Sequence, residues 1–243
     1  MGRQARKGRP VIAGPSAGLN PVMIGGLVVI VALVAAIGFM VVRASGGGST
    51  AAGPLVAPNG ATASGALPIG RESAPVTVEI YLDYMCPYCG RFEKANSAEI
   101  DKLVADGTAR VELHPLNFLD RFSQGTRYST RAANAVATVA DKAPGQVLAL
   151  NRVLFDNQPE ENSTGLTDTR IAELALQAGV PQAVVDVLDD GIHSTWVTQS
   201  NDAAFASGVT GTPTIKINGQ KYEGDLYTAG PLTAAVTSAA GEQ

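Results

Sequence analysis

The chain has 243 residues, 18 of them basic and 22 acidic, with a formal net charge of −4. That length suffices for one well-buried domain plus additional segments. Five basic residues (Arg3, Arg6, Lys7, Arg9 and Arg43) and no acidic ones lie at or before Arg43, which leaves 13 basic against 22 acidic side chains beyond it and argues against a nucleic-acid partner.

Residues 1–21 form a basic arm containing Gly and Pro, and Val22 to Val42 then runs without a charge. At ~1.5 Å per residue, a helix over 22–42 covers the ~30 Å hydrocarbon core of a bilayer. Basic residues ahead of it predict a cytoplasmic N-terminus and an extracytoplasmic remainder. Topology and lipid headgroups account for the basic block. A cleaved signal peptide is the rival, but its apolar region is ~7–15 residues and ends in a small-x-small site. Val42-Arg43-Ala44-Ser45 is a poor one, and no cysteine adjoins the span to carry a lipoprotein anchor. The expectation is a single-pass anchor in the cell membrane.

Residues 43–66, rich in Gly, Ser, Ala and Thr, read as a flexible tether. The domain follows over 67–243. Ala66 to Gly70 is a candidate leading strand, and Val76 to Leu82 alternates and is β-branched, which predicts a strand. From Arg91 on, Phe92, Ala95, Ile100, Leu103 and Val104 recur at helical spacing, with an end near Asp106-Gly107. Ala109 to Leu116 alternates again. Strand, helix, strand in this order implies a parallel βαβ unit.

Between the first strand and the helix stands Asp83-Tyr84-Met85-Cys86-Pro87-Tyr88-Cys89-Gly90, with the chain's two cysteines. Pro87 is suited to the first helical position, which sets the Cys86 sulfur at a helix N-terminus where the partial positive charge favours a thiolate. Cys89, one turn in, packs on the strand. The expected roles are Cys86 as nucleophile and Cys89 as resolving thiol. A purely structural disulfide is a weak rival: so small a loop gains about 2 kcal/mol, against ~5 for a hundred-residue loop. A zinc half-site lacks a second ligand pair, since His114 and His193 are far apart. Chance spacing is opposed by the flanking strand and helix. No metal and no cofactor are implied.

Helical patterns then run from Gln124 to about Asp190. Ile171, Leu174, Ala175 and Ala178 share a face, and Gly179 and Pro181 mark its end. Ser194 to Ala206 is a further helix, with Trp196 and Phe205 read as core. Thr214 to Ile217 and Lys221 to Glu223 flank Asn218-Gly219, a type I′ hairpin signal. Gly230-Pro231 opens the last helix. His114 reads as a hydrogen-bonded structural histidine, and Glu160-Glu161 and Asp189-Asp190 as solvated charges.

At the mouth of the hairpin stands Gly211-Thr212-Pro213-Thr214. Taken alone this is equally a strand-entry turn. Together with Cys86-Pro87-Tyr88-Cys89-Gly90 and the helical stretch at about 124–190, it resembles the DsbA-like thiol:disulfide oxidoreductases of the thioredoxin superfamily, over about Pro75 to Ala240. The resemblance implies an α/β thioredoxin fold with a helical insertion, and a cis Thr212–Pro213 peptide facing the dithiol. It also implies substrate binding by Thr212, Pro213, Pro87 and Tyr88. The family's usual histidine between the cysteines is Tyr88 here, which implies weaker oxidising power. Its proton-relay acid, six residues before the first cysteine, is Ile80 here. Strand alternation turns Glu79 and Asp83 away from Ile80, so the relay has no assigned residue. Implied partners are exported cysteine-containing proteins and a quinone-linked membrane protein, DsbB-like or vitamin-K-epoxide-reductase-like. Oxidation of exported proteins is the expected direction. Reduction or isomerisation is the alternative activity, and a non-catalytic client-binding module the alternative of another class.

Overall fold

The computed structural model describes residues 53–242. The basic arm at 1–21 and the apolar span at 22–42 lie outside these residues. Among the described residues no helix is long and apolar enough to cross a membrane.

Five strands form one sheet: β1 (Leu67–Ile69), β2 (Val76–Asp83), β3 (Ala109–Leu116), β4 (Thr214–Ile217) and β5 (Gln220–Lys221), in the order β1-β3-β2-β4-β5. β2 and β3 pair in parallel, Val76 opposite Ala109 through Asp83 opposite Leu116, and the other pairings are antiparallel. Helix α1 (Pro87–Asp106) is the crossover between β2 and β3. It ends at Gly107, whose φ of 81° is the left-handed conformation that Gly adopts without a Cβ penalty. The β4–β5 turn has positive φ at both Asn218 and Gly219, as a type I′ hairpin requires.

Alternation along β2 separates two packing faces. Val78, Ile80 and Leu82 join the main core with Phe92, Ile100 and Leu103 of α1 and with Leu232 and Val236 of the last helix, α7 (Pro231–Gly241). Tyr81 and Leu116 face the other way and pack on Ala204 of α6 (Ser194–Ala206). Burying each large apolar side chain is worth about 1.5–3 kcal/mol. The core therefore fixes the end of β2, and with it the start of α1.

The insertion between β3 and α6 holds α2 (Tyr128–Lys142), α3 (Val147–Asp156), α4 (Asp168–Gln177) and α5 (Gln182–Val185). α2 is buried over most of its surface, and small residues (Ala132, Ala133, Ala135, Ala137) let its neighbours approach closely. Its buried Asn134 is matched on both sides. Asn134 donates to the Leu188 carbonyl at 2.8 Å and accepts from the His193 N–H at 2.8 Å. Thr167 caps α4 by accepting from the Arg170 N–H.

Residues 53–66 depart from the flexible tether that composition predicts. They have no strand or helix of their own, yet they run against the domain. The Asn59 N–H donates to Asp141, Thr195 donates to the Gly53 carbonyl, and His193 Nδ1 lies 2.8 Å from the Val56 carbonyl. A polar, Gly-rich stretch cannot build a core, but its backbone groups still bond to side chains offered by a neighbouring surface.

Candidate active site

β2 ends at Asp83, and the chain turns there because the Cys86 N–H donates back to the Asp83 carbonyl at 2.9 Å. Pro87 starts α1 with Cys86 as its cap residue. The Asp83 side chain ties down this turn. It is fully buried and accepts from the Met85 N–H, the Leu119 N–H and the Ser129 hydroxyl, at 2.9, 3.0 and 2.6 Å. Burial nonetheless pushes its carboxyl up to about 7. From the other side Gln158 donates to the Cys86 and Tyr84 carbonyls, at 2.8 and 3.1 Å. A Cβ at Gly90 would stand 2.3 Å from the Gln158 amide oxygen, so the residue after the second cysteine must be bare for this staple to close.

Both thiols are free. Cys86 keeps 5% of its surface exposed and Cys89 none, so an incoming sulfur meets Cys86. The Thr212–Pro213 peptide bond is cis and faces the pair. As a thiol, Cys86 donates to the Thr212 carbonyl across 3.4 Å. As a thiolate it is favoured by the Cys89 thiol, by Thr212 and by the N–H groups of Cys89 and Tyr88. The Cys89 thiol is the largest of these influences, and together they outweigh burial and hold Cys86 down at about 6. Cys89 is pushed well above the ordinary thiol range by burial, and then by the bond it donates to Cys86. One sulfur ionises at neutral pH while its neighbour keeps its proton.

Tyr88 is exposed beside the dithiol, and Tyr227, from the loop before α7, stands 6.1 Å from it between ring centroids. The Arg91 guanidinium lies 4.5 Å from the Tyr227 ring centre and 5.7 Å from that of Tyr88. The loop is held by α1: Asn96 donates to the Leu226 carbonyl, and Glu99 accepts from the Gly230 N–H and the Thr233 hydroxyl.

Cys86, Cys89, Pro87, Tyr88, Thr212 and Pro213, all singled out from sequence, come together here. Tyr227, Arg91, Gln158 and Glu93 were not singled out. Glu93 had a signal, since a carboxylate on the buried face of α1 with Cys89, Phe92 and Ile100 breaks the apolar stripe. His114 is far from hydrogen-bonded, contrary to expectation. It is buried and stacked on Tyr81 at 4.0 Å, neither ring nitrogen has a partner among the described residues, and burial lowers it to about 4. Trp196 is buried and Phe205 half-buried, edge-on to Phe118. The two acidic pairs are exposed.

Disulfide exchange needs a sulfur that is both ionised and reachable, and a second one held in reserve beside it. The junction of β2 and α1 provides that division, and with the facing cis-proline on this sheet it defines the class of thioredoxin-fold thiol:disulfide oxidoreductases. The chain belongs to the thioredoxin family, whose model matches residues 62–234. It is 34% identical over 155 residues to the serine/threonine-protein kinase PknE of Mycobacterium tuberculosis, a match that takes in 60% of this chain. The chain spans about a quarter of that relative's length (27%). Among solved structures it is similar to MdbA, a thiol-disulfide oxidoreductase from Actinomyces oris, with 26% identity and a TM-score of 0.65 over 77% of this chain and 94% of that one. Oxidised DsbA of M. tuberculosis matches with 28% identity and a TM-score of 0.59 over 72% of this chain and 99% of that one.

Proposed function

We propose that the protein oxidises dithiols of exported proteins outside the cytoplasm, tethered by the apolar span at 22–42. The observation that carries the direction is the stabilised thiolate of Cys86, held at about 6. Favouring the reduced form makes the disulfide the stronger oxidant, by about 30 mV for each ~1.4 kcal/mol. A client thiolate attacks the Cys86 sulfur, the Cys86–Cys89 bond breaks, and a mixed disulfide forms on Cys86. A second client thiolate then attacks the client sulfur of that bond and releases the Cys86 thiolate. Pro87, Tyr88, Thr212 and Pro213 line the approach. Likeness to MdbA, a thiol-disulfide oxidoreductase, and to DsbA supports the activity, and the acidic remainder beyond a basic, apolar N-terminus supports the location. A quinone-linked membrane protein, DsbB-like or vitamin-K-epoxide-reductase-like, returns the dithiol to its disulfide.

Equilibration of the full chain with glutathione buffers tests the direction. The expected potential is well above the roughly −270 mV of thioredoxin, together with oxidation of a reduced unfolded protein and poor reduction of insulin. A potential as low as that of thioredoxin would assign the protein to reduction instead.

A further inference from the structure

The exchange reaction moves a proton at Cys89. When a client thiolate opens the disulfide, Cys89 leaves as a thiolate in a fully buried place, where its charge is costly. A proton donor inside the protein removes that cost. Two buried carboxyls flank the dithiol. Asp83 already accepts three hydrogen bonds, all of which hold the loop, and it sits on the sheet face opposite Ile80.

Glu93 differs on each count. It is four residues beyond Cys89, hence one helical turn along the same face of α1. It is buried, and it shares a small cavity of about 10 Å³ with Ile80, Val111 and Asn151. Asn151 borders the same cavity, favours the ionised form of Glu93 and accepts from the Tyr84 hydroxyl at 2.9 Å. The Tyr84 phenol lies within electrostatic reach of both Glu93 and Cys89. Glu93, Asn151 and Tyr84 thus form a buried polar group one helical turn from Cys89, on the face where the strand itself offers only Ile80.

We propose that Glu93 carries the proton to and from Cys89. The inference rests on the disulfide-exchange reading. In the oxidising direction the client sulfur bonds to Cys86, the Cys86–Cys89 bond breaks, and its electron pair stays on Cys89. The Glu93 proton passes to that sulfur and leaves a carboxylate, which solvent reprotonates. In the reverse direction Glu93 takes the proton as Cys89 attacks. Burial raises Glu93 to about 7, so it holds a proton up to neutrality. The groups that face it are Arg152 and Asp156 from α3, Asp101 on the cavity wall in an ion pair with Arg152, and Tyr84. Arg152 lowers Glu93 and Asp156 raises it.

The test is the rate at which the oxidised full chain reacts with excess reduced glutathione, from pH about 5.5 to 8.5. Glu93→Gln is expected to slow the reaction at least about tenfold below neutrality, to lose the inflection near pH 7, and to converge on the parent chain above pH 8. Ile80→Glu added to Glu93→Gln places a carboxyl in the same cavity from the strand and is expected to restore both rate and inflection. The thiolate absorbance titration of Cys86 should be the same in the parent and in Glu93→Gln, which shows the site intact. A rate unchanged by Glu93→Gln, or lowered equally at every pH, overturns the assignment while leaving the exchange reading in place. A parent chain that does not react with glutathione overturns both.

Discussion

Cys86 and Cys89 differ in surroundings more than in position. Four influences hold a thiolate on Cys86, while burial and the bond to Cys86 keep the proton on Cys89. Removing either sulfur should therefore have an unequal result. Cys89→Ser leaves the reachable nucleophile and removes the group that resolves it, so Cys86 should attack a disulfide-bonded peptide, release one peptide thiolate and accumulate as the mixed disulfide with the other. Cys86→Ser should give none. Mass spectrometry of non-reduced samples distinguishes the two, and equal trapping by both variants would contradict the assigned roles. Both cysteines were legible in the sequence because strand, proline and helix are local signals. Gln158 and Tyr227 were not, since their meaning lies in what they touch 70 or more residues earlier in the chain.

Helix α1 works through three of its faces. Its start stabilises the thiolate, its apolar stripe grips the sheet, and Arg91, Asn96 and Glu99 hold the loop that presents Tyr227. Glu99 bonds both the N–H of Gly230 and the hydroxyl of Thr233, at the start of α7, where a carboxylate also complements the helix dipole. Glu99→Ala should cost about 1–3 kcal/mol in urea unfolding and slow exchange with a protein substrate more than with glutathione. Equal slowing of both would show that the loop has no part in substrate choice. At this scale the sequence was most informative. The extents of β3, β4 and α6 coincide with their expected ranges because alternation and helical periodicity are properties of the segment itself. Residues 53–66 and the loops around α4 and α5 were poorly legible. Their course is decided by partners on other elements, such as Asp141 and His193 for the former.

The whole molecule stores opposed titrations around one site. Asp83 and Glu93 are raised by burial to about 7, so the folded state binds protons that the unfolded chain has released, and stability is lost as pH rises from about 4 to about 7. Cys86 is lowered to about 6, so the reduced form gains stability from about pH 6 up to the ordinary thiol range. Urea midpoints of the two redox forms should show this: both fall between pH 4 and 6, and only the reduced form recovers between pH 7 and 8.5. Parallel curves throughout would contradict the lowered Cys86. The sheet's margins matter at this scale too. One edge strand, β1, has three residues with Pro68 at its centre; the other, β5, has two, one of them the exposed Lys221. Proline offers no donor, and lysine resists burial against another chain, so neither margin can template a growing ladder. A protein whose proposed work brings it among unfolded chains, each carrying unpaired strands, is thereby kept from being zipped into their aggregates.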